Sequence, residues 1–347
     1  MIRLHAVMPS TAIKLIVLGI AAFGIVALGY WRDLSVWSDR AIFVVGKPIE
    51  YTVVPGATVE SIGKDLNSMK ILSSSHYFAW MARSSGKARS VQTGEYWVIP
   101  GMTPRGFLDA LVNGRVIQHK VTLIEGWTFD RVRGALTEHP KVLQTLAGLD
   151  RRRIMERLGF AGRDPEGLFF PDTYYFTAGT SDAELLQRAY RRMEELLHRE
   201  WSARDKGLPY KTPYEVLIMA SIIEKETSIG SERPEIAGVF LRRLERGMPL
   251  QTDPSVIYVL GDAFAGDLKR SHLSIDSPYN TYRNVGLTPT PIALPGAESI
   301  RAVLHPAAGA ALYFVAKGDG HHHFSGTLED HEQAIARYQI VGRKDSR

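Results

Sequence analysis

Apolar residues dominate one stretch close to the N-terminus. Residues 15–31 form a run without a charged side chain, and at ~1.5 Å per residue a helix of this length crosses most of a ~30 Å hydrocarbon layer. Lys14 can snorkel to the surface, which extends the predicted span to residues 12–31. Basic groups precede the run at Arg3 and Lys14, whereas Arg32 is offset by an acidic neighbour. The positive-inside rule therefore predicts a single span with a cytoplasmic N-terminus.

A removable signal peptide and a buried core helix are the two alternatives to a membrane anchor. Residues 27–29 are typical of a small-x-small cleavage site, so the run could belong to a signal peptide. Its length exceeds the usual apolar region of such peptides, which is ~7–15 residues. A core helix would need a polar face, which the run lacks, and the run lies at the extreme terminus. A membrane anchor fits both length and charge.

Short β-rich stretches recur after the anchor, each followed by a glycine and a threonine at fixed offsets. The pattern occupies residues 54–62, 99–107 and 124–132. Each glycine permits a sharp turn, and each threonine can cap the helix that follows. The uneven spacing argues against a solenoid. The first two copies predict a small α+β module over residues 46–122.

The remaining sequence alternates helical segments with aromatic loops. Residues 140–206 have a helical pattern, with a capping box at Ser181 and Glu184. Residues 277–296 form a Pro-rich loop, too long for a simple connection and more typical of a site. Residues 312–325 predict a hairpin. The predicted fold class is α+β: an N-terminal transmembrane helix, the small module, and a larger mixed α+β domain rich in helices.

One predicted helix is apolar on nearly every face and ends in two carboxylates. Thr212 can cap it, Glu215 completes a capping box, and residues 216–223 are apolar except for one serine. A carboxyl group at the end of such a helix should be partly desolvated, which favours its protonated form. A neutral carboxylic acid is what general-acid cleavage of a glycosidic bond requires.

Helical spacing separates the two carboxylates, Glu224 and Glu226. Glu224 shares a face with the small residues Ala220 and Ser221, which leaves space for a ligand. Glu226 shares its face with bulky side chains, and we expect it to pack and to pair with a base such as Arg233. Spacing thus favours Glu224 as the acid. The alternative is that both are helix-end carboxylates in structural ion pairs.

Two later segments add candidate ligand-binding side chains. Asp253 could supply a second carboxylate, or it could cap the helix that begins at Pro254. Tyr279, Asn280 and Tyr282 combine aromatic faces with an amide, a mixture typical of sugar sites. The same residues could instead belong to a loop that its prolines make rigid. Each segment therefore has a functional and a structural interpretation.

Composition narrows the chemistry. The chain of 347 residues has no cysteine, which excludes disulfides, zinc–thiolate sites and a cysteine nucleophile. Its net charge of +5 is scattered over arginines that we place on solvated helix faces, Arg242 and Arg243 among them. A basic exported domain suits an anionic wall polymer or membrane surface and argues against nucleic acid. His321 and His323 would share a strand face, but no neighbouring carboxylate or cysteine completes a shell, so we predict no metal and no cofactor.

Several motifs together resemble the YceG-like endolytic murein transglycosylases. They occur in the same order over residues 45–340, after the N-terminal anchor. Thr288 stands where the family pattern leads us to expect proline, and the triple histidine is richer than the usual Gly-x-His stretch. The motifs are Glu166-Gly-Leu-Phe-Phe-Pro-Asp-Thr-Tyr174, Ala220-Ser-Ile-Ile-Glu-Lys-Glu-Thr227, Gln251-Thr-Asp-Pro-Ser-Val-Ile-Tyr258, Ser277-Pro-Tyr-Asn-Thr-Tyr282, Gly286-Leu-Thr-Pro-Thr-Pro-Ile-Ala293 and Leu312-Tyr-Phe-Val-Ala316.

The resemblance implies a single-pass inner-membrane protein whose catalytic domain faces the periplasm. The implied boundaries are residues 1–45 for the anchor, 46–122 for a LysM-like module and 123–347 for the catalytic domain. The family cleaves the MurNAc–GlcNAc β-1,4 bond within nascent peptidoglycan strands without water. The product carries a 1,6-anhydroMurNAc end, and strand elongation stops.

The resemblance also assigns residues. Glu224 matches the catalytic glutamate of the family by its motif. Peptidoglycan strands are the implied ligand, and peptidoglycan synthases are candidate partners. We expect substrate contacts from Ser221, Gln251, Thr252, Asp253, Tyr258, Tyr279, Asn280 and Tyr282.

Two alternative functions stay open. A hydrolytic muramidase of similar fold would need a second carboxylate, for which Asp253 is the candidate. A non-catalytic peptidoglycan-binding scaffold would use the small module and would not depend on Glu224. A lytic transglycosylase needs one carboxyl group only, because the attacking hydroxyl belongs to the substrate.

Overall fold

A long apolar helix begins the described part of the chain. The computed structural model describes residues 10–340, so the expectation for Arg3 lies outside the described residues. α1 (Ser10–Ser38) contains a segment, Lys14–Ser38, that is apolar and long enough to cross a membrane. Its apolar side chains up to Leu28 are mostly exposed, unlike those of a core helix. The predicted N-terminal apolar helix is confirmed, and it extends past Trp31 to Ser38.

The chain divides into two units after His119. In the first unit, Leu34 at the end of α1 joins a buried cluster that includes Phe78, Tyr96 and Phe107. Two strands of this unit pair antiparallel, with Ile49 opposite Val98. The elements that follow α1 are β1 (Ile49–Val53), α2 (Val59–Ser68), α3 (Ser75–Ser84), β2 (Gly94–Val98) and α4 (Pro104–Val112).

The turns and caps of this unit follow the predicted pattern. Gly56 and Gly101 have φ values of 81° and 80°, in the left-handed region that favours glycine. Thr58 accepts a hydrogen bond from the backbone N–H of the third residue of α2, and Thr103 does the same for α4, at 3.2 and 3.0 Å. These local predictions are confirmed. They could be made from the sequence because each depends on a few adjacent residues.

The second unit is mostly helical. Its core contains Phe129, Phe169 and Tyr190, together with most of the apolar residues between Val216 and Ile223. Two strand pairs belong to it, and the second is an antiparallel hairpin with Tyr313 opposite Ser325, as predicted. The elements are β3 (His119–Thr122), α5 (Phe129–Glu138), α6 (Arg151–Leu158), β4 (Thr173–Phe176), α7 (Asp182–Ser202), α8 (Pro213–Glu226), α9 (Arg233–Glu245), α10 (Asp253–Leu260), α11 (Ala297–Leu304), β5 (Tyr313–Ala316), β6 (His322–Ser325) and α12 (Leu328–Ile335).

Helix α8 lies at the centre of this unit. Every residue from Val216 to Ile223 is buried, and α7, α9, α10 and α11 all contact the helix. Thr212 caps it as predicted, accepting from the Glu215 N–H at 3.3 Å. The predicted capping box is wrong, because the Glu215 carboxylate accepts from the backbone N–H of Lys211 at 2.6 Å instead. The predicted burial on all faces of α8 is confirmed.

Side chains hold the Pro-rich loop against this core. Asn280 is fully buried, and its amide donates to the carbonyl groups of Leu273 and Ile275 at 3.0 and 2.8 Å. Ser221 on α8 accepts from the backbone N–H of Ile292 at 3.0 Å. The loop is therefore a fixed part of the second unit that packs on α8.

Candidate active site

The carboxyl group of Glu224 is fully engaged by neighbouring groups. Arg233 Nη2 donates to its Oε1 at 3.2 Å, while Gly296 N and Ser299 Oγ donate to its Oε2 at 2.9 and 2.7 Å. Only 5 % of the side chain is exposed. The prediction that Arg233 pairs with Glu226 is wrong, because Arg233 lies against Glu224 on the other side of α8.

These contacts give Glu224 a clear structural role. Gly296 is the N-cap of α11, so the carboxylate satisfies a free N–H at a helix N-terminus and lies favourably in the helix dipole. Its ion pair with Arg233 connects α8 to the start of α9. A side chain at position 296 would collide with Glu125, since an added Cβ would lie 1.9 Å from its Oε1. Glu224 therefore joins α8, α9 and α11.

Glu226 has the opposite environment. It is half-buried, and the hydroxyl of Thr252 donates to its Oε1. Burial raises the pKa of Glu226 to about 7, and the negative charge of Asp253 adds to the rise. The raised pKa favours the protonated form of Glu226 near neutral pH, which is the state that a general acid needs.

Glu226 borders a groove of about 450 Å³. Its walls come from α9, the segment before α10, the Pro-rich loop, the β5–β6 hairpin and α12, so the groove lies within the second unit. The mixture of aromatic rings, histidines and carboxylates suits a polar ligand with apolar faces. The lining residues are Glu226, Arg243, Leu250, Gln251, Asp253, Tyr282, Tyr313, Phe314, Val315, Ala316, His322, Leu328, His331 and Ile335.

Three of the predicted ligand-binding residues meet in this groove, and a fourth touches its acid. Gln251, Asp253 and Tyr282 line it, and Thr252 is the residue bonded to Glu226. The Tyr282 hydroxyl donates to Asp253 Oδ1 at 2.6 Å. Asp253 is the first residue of α10 rather than its cap, which is Thr252. Its carboxylate is therefore directed to Tyr282 and the groove.

Gln251 adopts a strained backbone conformation. Its φ of 54° lies in the left-handed region, which is uncommon for a residue other than glycine. Its side-chain oxygen accepts from Arg243 Nη1 at 3.2 Å. The turn places Gln251 and Asp253 on the groove wall and Thr252 between them against Glu226, a geometry that residue types alone do not reveal.

The remaining four predicted contacts lie away from the groove. Ser221 and Asn280 are buried supports of the Pro-rich loop. The Tyr258 hydroxyl donates to Glu166 Oε2 at 3.1 Å, and the Tyr279 hydroxyl is 2.9 Å from Thr290 Oγ1. None of the four is a groove-lining residue. In the described chain they act through the packing of α10 and the loop.

Sequence reasoning missed Arg243 and two histidines of the groove. Arg243 is buried, so its assignment to a solvated helix face is wrong. Its guanidinium donates to the carbonyl groups of Leu312 and Leu250 at 2.7 and 2.9 Å, and burial lowers its pKa. The histidines His322 and His331 both line the groove. His322 belongs to the triple histidine noted in the sequence, but nothing in the sequence places it or His331 beside Glu226, which both follow by about a hundred residues.

A larger cavity of about 700 Å³ lies between α7 and the start of α8. Neither Glu224 nor Glu226 borders it, and its walls are mainly apolar. Its Glu194 is engaged by Arg163 at 3.4 Å. The smaller groove, which contains Glu226 and Asp253, is therefore the better candidate for the active site.

The fold and groove define a protein of mixed α+β class in which a carboxyl group with a raised pKa borders a polar groove. The chain belongs to the YceG-like family, whose sequence profile matches residues 51–337. This confirms the resemblance seen in the motifs.

Named relatives agree with this assignment. An endolytic murein transglycosylase from Bacillus subtilis (strain 168) is 32% identical over 308 residues, which is 84% of this chain and 84% of that protein. A protein of the same name from Streptococcus pneumoniae is 26% identical over 84% of this chain, but the match covers only 58% of its own length. A crystal structure of a yceG-like protein from Listeria monocytogenes superposes with a TM-score of 0.54 at 26% identity. That match covers 82% of this chain and 98% of the Listeria chain.

Proposed function

We propose that this chain is an endolytic murein lytic transglycosylase. It cleaves the MurNAc–GlcNAc β-1,4 bond within nascent peptidoglycan strands, leaves 1,6-anhydroMurNAc ends and thereby stops strand elongation. The name carried by the relatives supports this reaction. The observation that carries it is a carboxyl group with a pKa raised to about 7 at the wall of a polar, aromatic groove.

Geometry favours Glu226 over Glu224 as the proton donor. Glu226 borders the groove and is protonated in a large fraction of molecules at neutral pH. Glu224 does not line the groove, and its carboxyl group is occupied by three hydrogen bonds, from Arg233, Gly296 and Ser299. Glu224, to which the family motif pointed, stays the alternative donor. Matched substitutions of the two residues separate the assignments.

The reaction needs one carboxyl group that acts twice. Glu226 gives its proton to the glycosidic oxygen as the bond to the muramic C1 breaks through an oxocarbenium-like transition state. The 6-hydroxyl of the same muramic residue then attacks C1, and its proton passes to the Glu226 carboxylate. No water is consumed and the acid is regenerated. Because the attack is intramolecular, its entropic cost is low.

Neighbouring groups of the groove assist this cycle. Burial is the main cause of the raised pKa of Glu226, and the Asp253 carboxylate raises it further. The same carboxylate can stabilise positive charge that develops at C1. Thr252 orients the acid by its hydrogen bond. Tyr282 holds Asp253 in place and offers an aromatic face to a sugar ring.

A hydrolytic muramidase is the second candidate function, and Asp253 is the observation that favours it. Two carboxyl groups in one groove are the usual requirement of hydrolytic glycosidases. The two reactions differ in their products, because a lytic product is lighter by one water at the muramic end. Mass analysis of fragments from defined glycan strands therefore decides between them: anhydro ends support the proposal, and reducing ends contradict it.

We also propose a location for the enzyme and a role for its first unit. The exposed apolar surface of α1 suits a single inner-membrane span, with the second unit in the periplasm. The module of residues 46–122 would act as a LysM-like domain beside the membrane, and peptidoglycan synthases are candidate partners there. A non-catalytic scaffold would keep its cellular effect after Glu226→Gln, whereas the enzyme would lose it.

A further inference from the structure

The three consecutive histidines of the β5–β6 hairpin have different surroundings. His322 lines the groove that contains Glu226, whereas His323 borders another cavity on the opposite face of the strand. The side chain of His321 is 53% exposed and does not line the groove. The alternation of side chains along β6 thus presents one histidine to the groove.

A buried carboxylate fixes the ring of His322. His322 Nδ1 lies 2.7 Å from Glu232 Oε2, and the backbone N–H of His322 donates to Glu232 Oε1 at 2.9 Å. Although burial opposes the effect, these hydrogen bonds and a further one from His321 lower the pKa of Glu232. A carboxylate can only accept, so Nδ1 of His322 carries the proton. In the neutral ring, Nε2 then has a free lone pair.

Packing also restrains this ring. The edge of the imidazole meets the ring of Phe314, with centroids 5.4 Å apart and planes at 87°. Only 12% of the His322 side chain is exposed. The contacts of His322 involve its Nδ1, its backbone N–H and its ring. Within residues 10–340, no group forms a hydrogen bond with its Nε2. A pre-oriented acceptor on the groove wall is what a ligand-binding site requires.

We propose that His322 is a substrate-binding residue and that Glu232 is its positioning residue. His322 Nε2 accepts a hydrogen bond from a hydroxyl or an amide N–H group of the glycan bound in the groove. Glu232 selects the tautomer and the orientation of the ring. This inference rests on the proposed function, since it takes the glycan as the ligand of this groove.

Binding to uncleaved strands tests this contact without depending on turnover. The measurement compares Glu226→Gln with the double variant that also carries His322→Asn, using defined peptidoglycan strands. Asparagine keeps an N–H donor close to the position of Nδ1, so the contact with Glu232 survives, but it has no group at the position of Nε2. Loss of one acceptor leaves a sugar donor unpaired, so we expect binding to weaken about tenfold.

Further variants separate ligand contact from a merely structural role. His322→Gln places an amide oxygen near the position of Nε2 and should recover part of the lost affinity. His323→Asn is the matched control from the same strand and should bind like its parent. Glu232→Gln should weaken binding, and its effect should not add to that of His322→Asn, because both act through one ring.

The outcomes are distinct. The inference is overturned if the double variant with His322→Asn binds strands as tightly as Glu226→Gln alone. It is also overturned if the His323→Asn control loses as much affinity as His322→Asn. If His322→Asn lowers the melting temperature, His322→Gln decides, and absence of any recovery overturns the proposal. Should the wild-type protein form anhydro ends while His322 variants bind normally, this inference fails alone. Should no strand bind any variant or the wild type, the proposed function fails with it.

Discussion

Glu224 and Glu226 are two residues apart on α8, yet their carboxyl groups meet opposite electrostatic surroundings. Glu224 lies between a guanidinium group and a helix N-terminus. Glu226 is desolvated and has Asp253 as a charged neighbour. The helix, its N-cap at Thr212 and its buried faces could be predicted from adjacent residues, although the capping box predicted at Glu215 does not form. The different surroundings of the two glutamates could not, because Arg233, Ser299 and Thr252 reach α8 through tertiary packing.

The two glutamates should differ in their effect on stability. The folded pKa of Glu226, about 7, exceeds its ordinary value of 4.5, so the folded state binds the proton more tightly. Its ionisation therefore destabilises the fold as pH rises from about 4.5 to 7. Glu226→Gln removes that cost and should stabilise the protein by on the order of 2 kcal/mol at pH 8, with little effect at pH 4.5.

Glu224→Gln is the matched control for this measurement. It leaves the buried Arg233 without a counter-ion and should destabilise the fold by roughly 3 kcal/mol at neutral pH. Thermal or urea unfolding of both variants at the two pH values gives the comparison. Equal destabilisation by both substitutions would refute the contrast between their environments.

The same pKa predicts how turnover depends on pH. In the proposed mechanism the protonated form of Glu226 is the active form, and its population falls above about pH 7. We expect kcat to decline about tenfold for each further pH unit. Turnover of defined strands between pH 5 and 9 provides the measurement. A kcat that rises through this range would contradict a protonated donor.

At the scale of elements, the groove is assembled from pieces that are distant in sequence. The hairpin prediction over residues 312–325 was confirmed, and the strand–turn–helix pattern of the first unit was too. Neither pattern shows that residues of the hairpin and of α12 line the same groove as Glu226, at the end of α8. The buried Arg243 of α9 joins two parts of the groove wall. Its guanidinium donates to the carbonyl group of Leu312, just before β5, and to that of Leu250, before α10.

Arg243 should therefore be essential for the groove wall. Arg243→Met leaves the carbonyl groups of Leu312 and Leu250 without their donor, and we expect a loss of roughly 3 kcal/mol in unfolding free energy. Lysine should not rescue it, because one ammonium group cannot reproduce the guanidinium fork. Arg246→Met is the control, since Arg246 is exposed at the end of the same helix and should change stability by under ~0.5 kcal/mol. Faster hydrogen exchange of β5 and β6 in Arg243→Met alone would locate the effect.

At the scale of the whole molecule, each unit has its own buried core. One core includes residues from Leu34 to Leu111, and the other begins at Val121. The apolar side chains of α1 are mostly exposed up to Leu28, and Leu34 near its end joins the first core. The long apolar helix was predictable because a long apolar run is a strong signal in one dimension. The candidate groove was predictable only in part: Gln251, Asp253 and Tyr282 were expected as ligand contacts, but the lining extends from Glu226 to Ile335.

Removal of the first 31 residues should separate membrane binding from catalysis. The shortened chain keeps Leu34 and both cores, so it should fold, remain in the soluble fraction and cleave soluble glycan strands. Sedimentation with membranes and a strand-cleavage assay measure the two properties. Persistent membrane association of the shortened chain would show that another surface binds the membrane.

The central claim is that the Glu226 carboxyl group delivers the proton that breaks the glycosidic bond. The most direct measurement is the rate of anhydro-end formation from defined strands by the wild type, Glu226→Gln and Glu224→Gln, each at a temperature where it is folded. We expect Glu226→Gln to lose turnover by about 10²–10⁴-fold while strand binding is retained. Glu224→Gln should keep most of its activity per folded molecule. An active Glu226→Gln beside a folded but inactive Glu224→Gln would contradict the account.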